Sequence, residues 1–588
     1  MKRLLVLLLI ATATLAHADD SKLSPELRGY RSTNQRQVIV QYAPGTQVNC
    51  SGLLGLLDCL LNDIANLGGT VLGQAPLING LVAQLDGGGI QSLSNQSNVV
   101  YISPDRPLSP TGLNNAAGAV NAEFAWQSNY TGVGIGVAVI DSGVSYHPDL
   151  NQQIFPLPRV VYQQSFVPGN SSADDQYGHG THVAGLIAGD GLSSTGPLYT
   201  QTFTGIAPGS HIVNLRVLDQ NGAGTDSSVI AAINQAIALK SQYNIRVINL
   251  SLGRGVYESY KLDPLCQAVE AAWKSGIVVV VAAGNNGRYQ TTDGYATVTS
   301  PGNDPYVITV GAMKPMGTPT RTDDLIASYS SKGPTVVDAV VKPDLVAPGN
   351  LLTSLASQGS TLYNEFPGNQ VPYSYYVNGG SSASSSAYFN LSGTSMAAGV
   401  LSGVVADLLQ KSPNLTPDQV KARLMLTAYK TFPESSSTTD PVTGITYTDQ
   451  YDVFTVGAGY VDLEAALNST AVAKGTAMSP IASFNAATNQ VSLSDDPSSV
   501  WNTSATWSNA AVWGSSQFVP GTAASSSSTV SASNALWGSN ALWGSNALWG
   551  SNALWGSNAL WGSNALWGSN ALWGSNALWG SSVAEGEN

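Results

Sequence analysis

The chain is short of charge. Asp, Glu, Lys and Arg make up 10% of its 588 residues, against roughly a quarter in an average soluble domain. The formal net charge is −13, and the basic residues form no cluster. A cationic footprint for nucleic acid or for an anionic membrane surface is therefore excluded. Cysteine is nearly absent: Cys50, Cys59 and Cys266 show no zinc-type spacing, and an odd count leaves at least one thiol unpaired or bound to another molecule. Cys50 and Cys59 are close enough in sequence to bridge, whereas Cys266 falls in a helical pattern and reads as a small buried apolar residue. Long apolar runs are missing except at the start, where Leu4 to Leu15 follows Met1-Lys2-Arg3 and precedes Ala16-His17-Ala18. That run is shorter than the about 20 residues of a bilayer span and has the order of an export leader. Residues 1–18 are expected to be a signal peptide, and the mature chain to be secreted and without a transmembrane segment.

What is present falls into stretches of different texture. Gln37 to Tyr42, Thr70 to Gly73, Gly80 to Leu85 and Val99 to Ile102 read as strands. Leucine-rich Leu53 to Leu67 and the stretch Ile90 to Ser94 read as helices, giving the β-α-β-β-α-β order of a small α+β unit over 36–104. A loop marked by Pro104, Pro107 and Pro110 follows, the kind of segment where nicking concentrates. From about residue 111 to 475, near-continuous apolar strands (Gly134–Ile140, Ile212–Val217, Arg246–Leu250, Ile277–Val281, Val307–Val310) alternate with helical patterns (His182–Ala188, Ser228–Lys240, Gln267–Lys274, Ala397–Leu409). That alternation predicts an α/β fold, a doubly wound and mostly parallel sheet with sites at the carboxyl ends of its strands. Residues 476–532 are rich in Ser, Ala and Asn and read as a linker. Eight tandem copies of Ser-Asn-Ala-Leu-Trp-Gly occupy 533–580, and an acidic terminus occupies 581–588. Trp501, Trp507 and Trp513 already keep the six-residue step.

Three motifs sit at predicted strand or helix ends: Asp141-Ser142-Gly143, Gly178-His179-Gly180-Thr181-His182, and Ser392-Gly393-Thr394-Ser395-Met396-Ala397. A serine hydroxyl is a poor nucleophile near neutral pH and needs a histidine base within hydrogen-bond reach. The imidazole in turn needs a buried carboxylate to fix its tautomer and stabilise its charged form. A serine at a helix N-terminus also has free backbone N–H groups beside the anion that develops on an attacked carbonyl. Asp141, His179 and Ser395 supply these parts in that order. Taken singly, Asp141 would be a turn former, Ser395 a helix cap, and His179 with His182 a metal pair. A catalytic zinc generally wants three protein ligands, and no second zinc-like motif accompanies the pair. His182 reads instead as a structural histidine beneath the site.

The three motifs resemble those of the subtilisin-like serine proteases, in the family order Asp, His, Ser. Further segments resemble the family in order: Gly205–Gly209, Asn249–Gly253, Ala282–Gly287, Ser300–Asn303, Ser330–Pro334 and Lys342–Gly349. The upstream α+β unit is similar to the family's inhibitory propeptide. The resemblance implies a serine endopeptidase acting on protein or peptide substrates and made as a self-processed zymogen. Residues 19–110 would then be an intramolecular inhibitor cut away between about Pro104 and Ala117. It implies an oxyanion-hole role for Asn285, and substrate edges at Ser251-Leu252-Gly253 and Gly222-Ala223-Gly224. It also makes Ala282, Ala283 and Gly284 one wall of the pocket for the side chain before the cut. No cofactor is required for that chemistry. Asp149 matches a calcium ligand of the family, but the loop after the Ser395 helix, which supplies further ligands in many members, does not match. Two departures bear on specificity: Thr299 near the pocket floor predicts a shallower pocket, and a Tyr- and Ser-rich insertion between Gly349 and Gly393 is placed to lean over the cleft.

The repeats leave several readings open. A six-residue period would put every Trp on one face of a strand, and turns, a small solenoid or a flexible tail fit as well. So many tryptophans are costly to leave in water, which makes binding to a surface, a carbohydrate, the catalytic domain or another copy an expectation. The rival to the enzyme reading is a surface-binding or self-associating protein that acts through these repeats, with the protease domain serving its processing.

Overall fold

The computed structural model describes residues 19–24, 27–28, 30–33, 35–43, 64–75, 78–104, 113–151, 159–440, 443–485, 490–513 and 529–531. The expected signal peptide, Cys50 and Cys59, most of the Leu53–Leu67 helix, the centre of the proline-marked loop, the hexapeptide repeats and the acidic terminus lie outside them. The chain divides into two compact units, Met1–Ser109 and Pro110–Asn588.

In the first unit, strand β1 (Arg36–Tyr42) buries Val38, Val40 and Tyr42 and leaves Ile39 and Gln41 half-buried. Strands β2 (Thr70–Ala75), β3 (Gly80–Leu85) and β4 (Val99–Pro104) complete an antiparallel sheet of order β2-β3-β1-β4. The helix Gly87–Ser94 starts three residues before the expected Ile90 because Asp86 accepts the Gly89 N–H at 2.8 Å and caps it. Its Ile90 and Leu93 close a core with Leu81, Leu85 and Ile102.

The second unit is built on parallel strands β5 (Gly136–Asp141), β6 (Val160–Ser165), β7 (His211–Arg216), β8 (Ile245–Leu250), β9 (Val278–Ala282) and β10 (Ile308–Lys314). The two-residue β11 (Leu325–Ile326) runs antiparallel to β10, and β12 (Leu345–Pro348) runs parallel to it. The order is β11-β10-β9-β8-β5-β7-β6. After β5 the chain goes to the edge for β6, comes back between them for β7, then crosses to the other side of β5 for β8. That reversal makes the carboxyl end of β5 the place where side chains from several loops converge. Every residue of β5 and β9 is buried, which is why they read as unbroken apolar runs. Edge strand β6 buries none of its residues fully, and its Gln163 and Gln164 conceal it from a hydropathy reading.

Two helices carry the site. The first, His179–Ala188, and the second, Thr394–Lys411, pack against each other. A Cβ on Gly399 would stand 3.3 Å from Leu186 Cβ, so a small residue there permits the close crossing. The tyrosine-rich insertion contributes β13 (Leu352–Leu355), β14 (Gln370–Pro372) and β15 (Ser384–Leu391), in the order β13-β15-β14. Its start meets the loop before His179, where Thr361 N and Leu362 N donate to Gln176 O and Tyr177 O at 3.0 and 2.9 Å. Tyr376 and Tyr388 are buried, with Tyr388 edge-on to Phe203 at 4.6 Å.

The segment expected to be a linker is packed structure up to residue 513. Ile481–Asn485 and Gln490–Ser494 pair as antiparallel strands. Trp501, Trp507 and Trp513 join the same core as the parallel sheet. The polar composition hid this because few, large side chains supply the buried area.

One residue of the second helix is poorly accommodated. Asp407 is fully buried, and neither carboxylate oxygen has a partner among the described residues. Burial pushes its carboxyl well above the usual range. A carboxylate raised on folding favours the native state at low pH and loses that contribution as pH climbs past its unfolded value of about 4. In a Ser395→Ala background, Asp407→Asn should therefore raise the melting temperature at pH 8, with the gap closing toward pH 4. Equal gaps at both pH values would contradict the assignment.

Candidate active site

Asp141 ends β5 and is fully buried. Its Oδ1 accepts from Ser142 N at 2.7 Å and lies 2.8 Å from His179 Nδ1. His179 opens its helix, also without exposure. The residue before it, Gly178, has φ +105° and no side chain to cap the helix. Asp175 does that work from outside the helix. Its Oδ1 accepts from Gly178 N at 2.7 Å and Ser142 Oγ at 2.7 Å, and its Oδ2 from Thr181 N at 2.8 Å. Ser142 Oγ accepts from Gly180 N at 2.9 Å. One carboxylate thus takes the backbone donors of the helix start, and the other is left for the imidazole. Burial pulls the His179 pKa down, but the Asp141 carboxylate, its hydrogen bond and the Asp175 charge outweigh this, so the net shift is upward. His179 Nε2 is buried without a hydrogen-bond partner among the described residues.

Ser395 is the second residue of the Thr394–Lys411 helix and is 4% exposed. Its Oγ donates to Ser251 O at 3.1 Å rather than to His179. Its carbonyl accepts from Ser251 Oγ at 2.9 Å. Behind them, Asn249 Nδ2 donates to Ser251 Oγ and Ser402 Oγ donates to Asn249 Oδ1, each at 2.9 Å. The Ser395 N–H has no acceptor among the described residues. Asn285 follows β9, and its Oδ1 accepts from Thr394 N at 2.9 Å and Thr394 Oγ1 at 3.1 Å. That pair of bonds fixes the amide plane of Asn285 directly beside Ser395. The structure therefore joins carboxylate to imidazole and asparagine to the serine turn, with the serine hydroxyl resting on Ser251. Catalytic hydrogen bonds are often unmade in a site without substrate.

Ser251, Leu252, Gly253, Ala282, Gly284, Asn285 and Ser395 line one cleft with Thr299. The backbones of Leu252 and Gly253 make no hydrogen bond among the described residues, as an edge awaiting a strand requires. Ala283 does not line the cleft: it is buried, with its carbonyl accepting from Thr299 N at 3.0 Å. The Gly222-Ala223-Gly224 segment is not part of that lining either. Ala223 N donates to Asp219 Oδ1 at 3.0 Å and its carbonyl accepts from Asp219 N at 2.8 Å, which folds the segment into a turn. Thr299 fills the space between the two glycine walls. A Cβ on Gly253 would lie 2.5 Å from Thr299 Oγ1, and one on Gly284 3.0 Å from Thr299 Cγ2.

The donor set around Asp149 does not fit a calcium ion. Its Oδ1 accepts from Ser193 N at 2.8 Å, its Oδ2 from Tyr388 OH at 2.6 Å, and its carbonyl from Arg159 Nη2 at 2.9 Å. Hydrogen-bond donors and a guanidinium stand where a hard cation needs oxygen ligands. Among the described residues no group of three or more His, Cys, Asp or Glu could hold a metal. His182 is no metal ligand: its Nε2 sits 3.0 Å from Leu352 O and 3.1 Å from Phe389 O, and burial drives its pKa down to about 3. Buried Cys266 has its thiol pKa pushed up by desolvation.

Sequence reasoning missed Asp175, Ser142, Asn249, Thr394 and Ser402 as positioning residues. Asp175 stands four residues before His179, a signal that was readable as a remote helix cap. The Ser402 contact across 153 residues left no local trace.

The doubly wound sheet and these groups at its carboxyl edge define an α/β protein with a serine, imidazole and carboxylate site. Residues 132–460 match the subtilase family, peptidase S8. The chain belongs to that family, whose members are serine endopeptidases. It is 39% identical to serine protease AprX of Bacillus subtilis over 303 residues, half of this chain and 61% of AprX. It is 32% identical to subtilisin E of the same species over 435 residues, 73% of this chain and 94% of subtilisin E. A thermophilic serine proteinase from Bacillus sp. strain AK1 is 33% identical over 293 residues, 50% of this chain and 56% of that protein.

Because Thr299 occupies the pocket, Thr299→Gly should raise kcat/KM for peptides with Leu or Phe before the cut, relative to Ala, by about tenfold. A panel of peptide anilides reads the ratio directly, and an unchanged ratio would show that Thr299 does not limit the pocket.

Proposed function

We propose that the chain is a secreted serine endopeptidase that hydrolyses peptide bonds through an acyl-enzyme on Ser395. The observation that carries this reading is the buried 2.8 Å contact between Asp141 Oδ1 and His179 Nδ1, in a family of serine endopeptidases, with Ser395 and Asn285 lining one cleft. Substrate would add to the Ser251–Gly253 edge as a strand. The Ser395 hydroxyl would turn from Ser251 O to His179 Nε2, the nitrogen left without a partner. His179 would accept the proton as Oγ attacks the carbonyl, while Asp141 holds Nδ1–H and stabilises the imidazolium. The Asn285 amide and the Ser395 N–H would receive the oxyanion. His179 then protonates the leaving amine, and water releases the acyl group.

The base must be neutral to work. Since its pKa is raised, activity should be lost as pH falls through a value above the ordinary 6.5 of histidine. A pH profile of kcat/KM should show its acidic limb there, and Asp141→Asn should lower kcat by about 10⁴-fold. An acidic limb well below 6.5, or an Asp141→Asn enzyme of near-normal rate, would rule out this assignment.

The first unit supports a further reading, that residues 19–110 are an inhibitory propeptide. It has its own core and the split βαβ strand order, and it ends at the proline-marked loop. N-terminal sequencing of the mature protein should find a start between Pro104 and Ala117, and Ser395→Ala should leave the chain uncut. A mature start near Asp19 would show that the unit is retained.

A further inference from the structure

The stretch 499–513 docks by a recurring device. Ser499 Oγ accepts from Trp501 N at 3.3 Å, and the next residues, Val500 and Trp501, are buried together. Ser508 caps the short helix Asn509–Trp513, its Oγ accepting from Ala511 N at 3.4 Å and its carbonyl from Val512 N at 3.0 Å. Val512 and Trp513 are again buried as a pair. Trp513 stands edge-on to Trp501, with ring centroids 5.0 Å apart. The Pro417–Thr427 helix packs against this turn. Lys430 Nζ reaches in from the same side and donates to Val512 O at 2.5 Å, Ala458 O at 2.6 Å and Met425 O at 2.9 Å. Asn509 Nδ2 donates to Asp495 Oδ2 at 2.9 Å.

The docked stretch Ser508-Asn509-Ala510-Ala511-Val512-Trp513, followed in sequence by Gly514, differs from the repeat Ser-Asn-Ala-Leu-Trp-Gly by one inserted Ala and by Val in place of Leu. Each group the socket uses recurs in the repeat: the Ser cap, the Asn for Asp495, the aliphatic-Trp pair, and a carbonyl before Trp for Lys430. The spacing of cap and ring already varies among the docked turns, from Ser499-Trp501 to Ser508-Trp513. We infer that the socket holding Val512 and Trp513 is a binding site for the hexapeptide repeat, and that its alternative occupant is a Leu-Trp pair from residues 533–580 of the same chain.

The energetics permit this exchange. Trp537 lies 24 residues beyond Trp513, and the entropy of closing a loop grows only with the logarithm of its length. Eight repeats multiply the statistical weight of the replacement eightfold, and the tether holds them at high local concentration. Trp513, being contiguous with the docked turn, keeps the socket while it is present. The repeats form a reserve of anchors for the 499–513 stretch. This inference does not depend on the peptidase reading, since the socket lies outside the cleft.

A thermal-unfolding cycle in the full chain, with Ser395→Ala to prevent self-cleavage, tests it. Trp513→Ala should lower the melting temperature by less than about 1 °C when the repeats are present. In a chain ending at Ala532 it should lower it by about 5 °C, the order expected for an emptied tryptophan site. Adding the peptide Ser-Asn-Ala-Leu-Trp-Gly-Ser-Asn-Ala-Leu-Trp-Gly to the shortened variant should restore stability, and the same peptide with Trp→Ser should not. Where Trp513→Ala fails to fold in the shortened chain, Trp513→Leu at both lengths gives the same comparison. An equal loss with and without repeats overturns the proposal. Rescue that depends on protein concentration over a tenfold range overturns the assignment to the same chain in favour of a second copy.

Discussion

A carboxylate taken fully out of water is tolerable only where charge and hydrogen bonds replace the solvent, and the second unit is organised around that demand at Asp141. The strand end delivers Asp141 to the sheet's carboxyl edge. Ser142 N and His179 Nδ1 then donate to its Oδ1 at 2.7 and 2.8 Å, while Oδ2 has no partner among the described residues. A helix start lies close by, with backbone N–H groups that would compete for the same oxygens. Asp175 removes the competition by taking Gly178 N and Thr181 N for itself. Two carboxylates at one helix start thus divide the donors between them. The result is an imidazole held in one tautomer, with Nδ1 committed and Nε2 left for chemistry.

The rear of the same helix obeys a matching constraint. An imidazolium on His179 is opposed by any like charge nearby. His182, one turn on, is kept neutral by burial and shares its Nε2 between two carbonyls of the insertion sheet. Phe203, Tyr376 and Tyr388 pack edge to face around that sheet, and the Tyr388 hydroxyl continues to Asp149. The insertion therefore braces the histidine helix and fills the coordination of Asp149 in one step. Its tyrosines satisfy both apolar and polar demands because the ring packs while the hydroxyl donates.

What could be read in advance follows from how local each signal was. Strands β5, β8 and β9 were legible because both faces of each are covered, which leaves a run of Val and Ile. β6 was not, because an edge strand with exposed Gln carries no such run. Asp141, His179 and Ser395 were legible as three short motifs whose order matched a known family, and Asn285 came from that resemblance alone. The helix starts were placed late at His182 and Ala397 because neither has a capping side chain of its own: one uses Asp175, and the other ties Thr394 to Asn285. Ala283, implied as part of the pocket wall, is buried and does not line the cleft. The turn that Gly222–Gly224 makes on Asp219 is likewise not revealed by sequence spacing. Calcium at Asp149 is implied by a single matching ligand, while the donors that surround Asp149, from Arg159, Ser193 and Tyr388, are spread along the chain.

The misreading of residues 476–513 has a more general cause. Composition averages over side chains, whereas burial is dominated by the largest of them. A stretch that is mostly Ser, Ala and Asn looks solvent-borne, yet Trp501, Trp507 and Trp513 place three indole rings in the core, and Val500 and Val512 follow them in. Small polar residues suit such a segment, because Ser and Asn satisfy the backbone of short turns while costing little side-chain entropy. Order in the segment then depends on how many tryptophan sockets the globular unit offers. The second unit offers them to the first three tryptophans of the six-residue series, built from Met478 O for the Trp501 indole, the Pro417–Thr427 helix and Lys430.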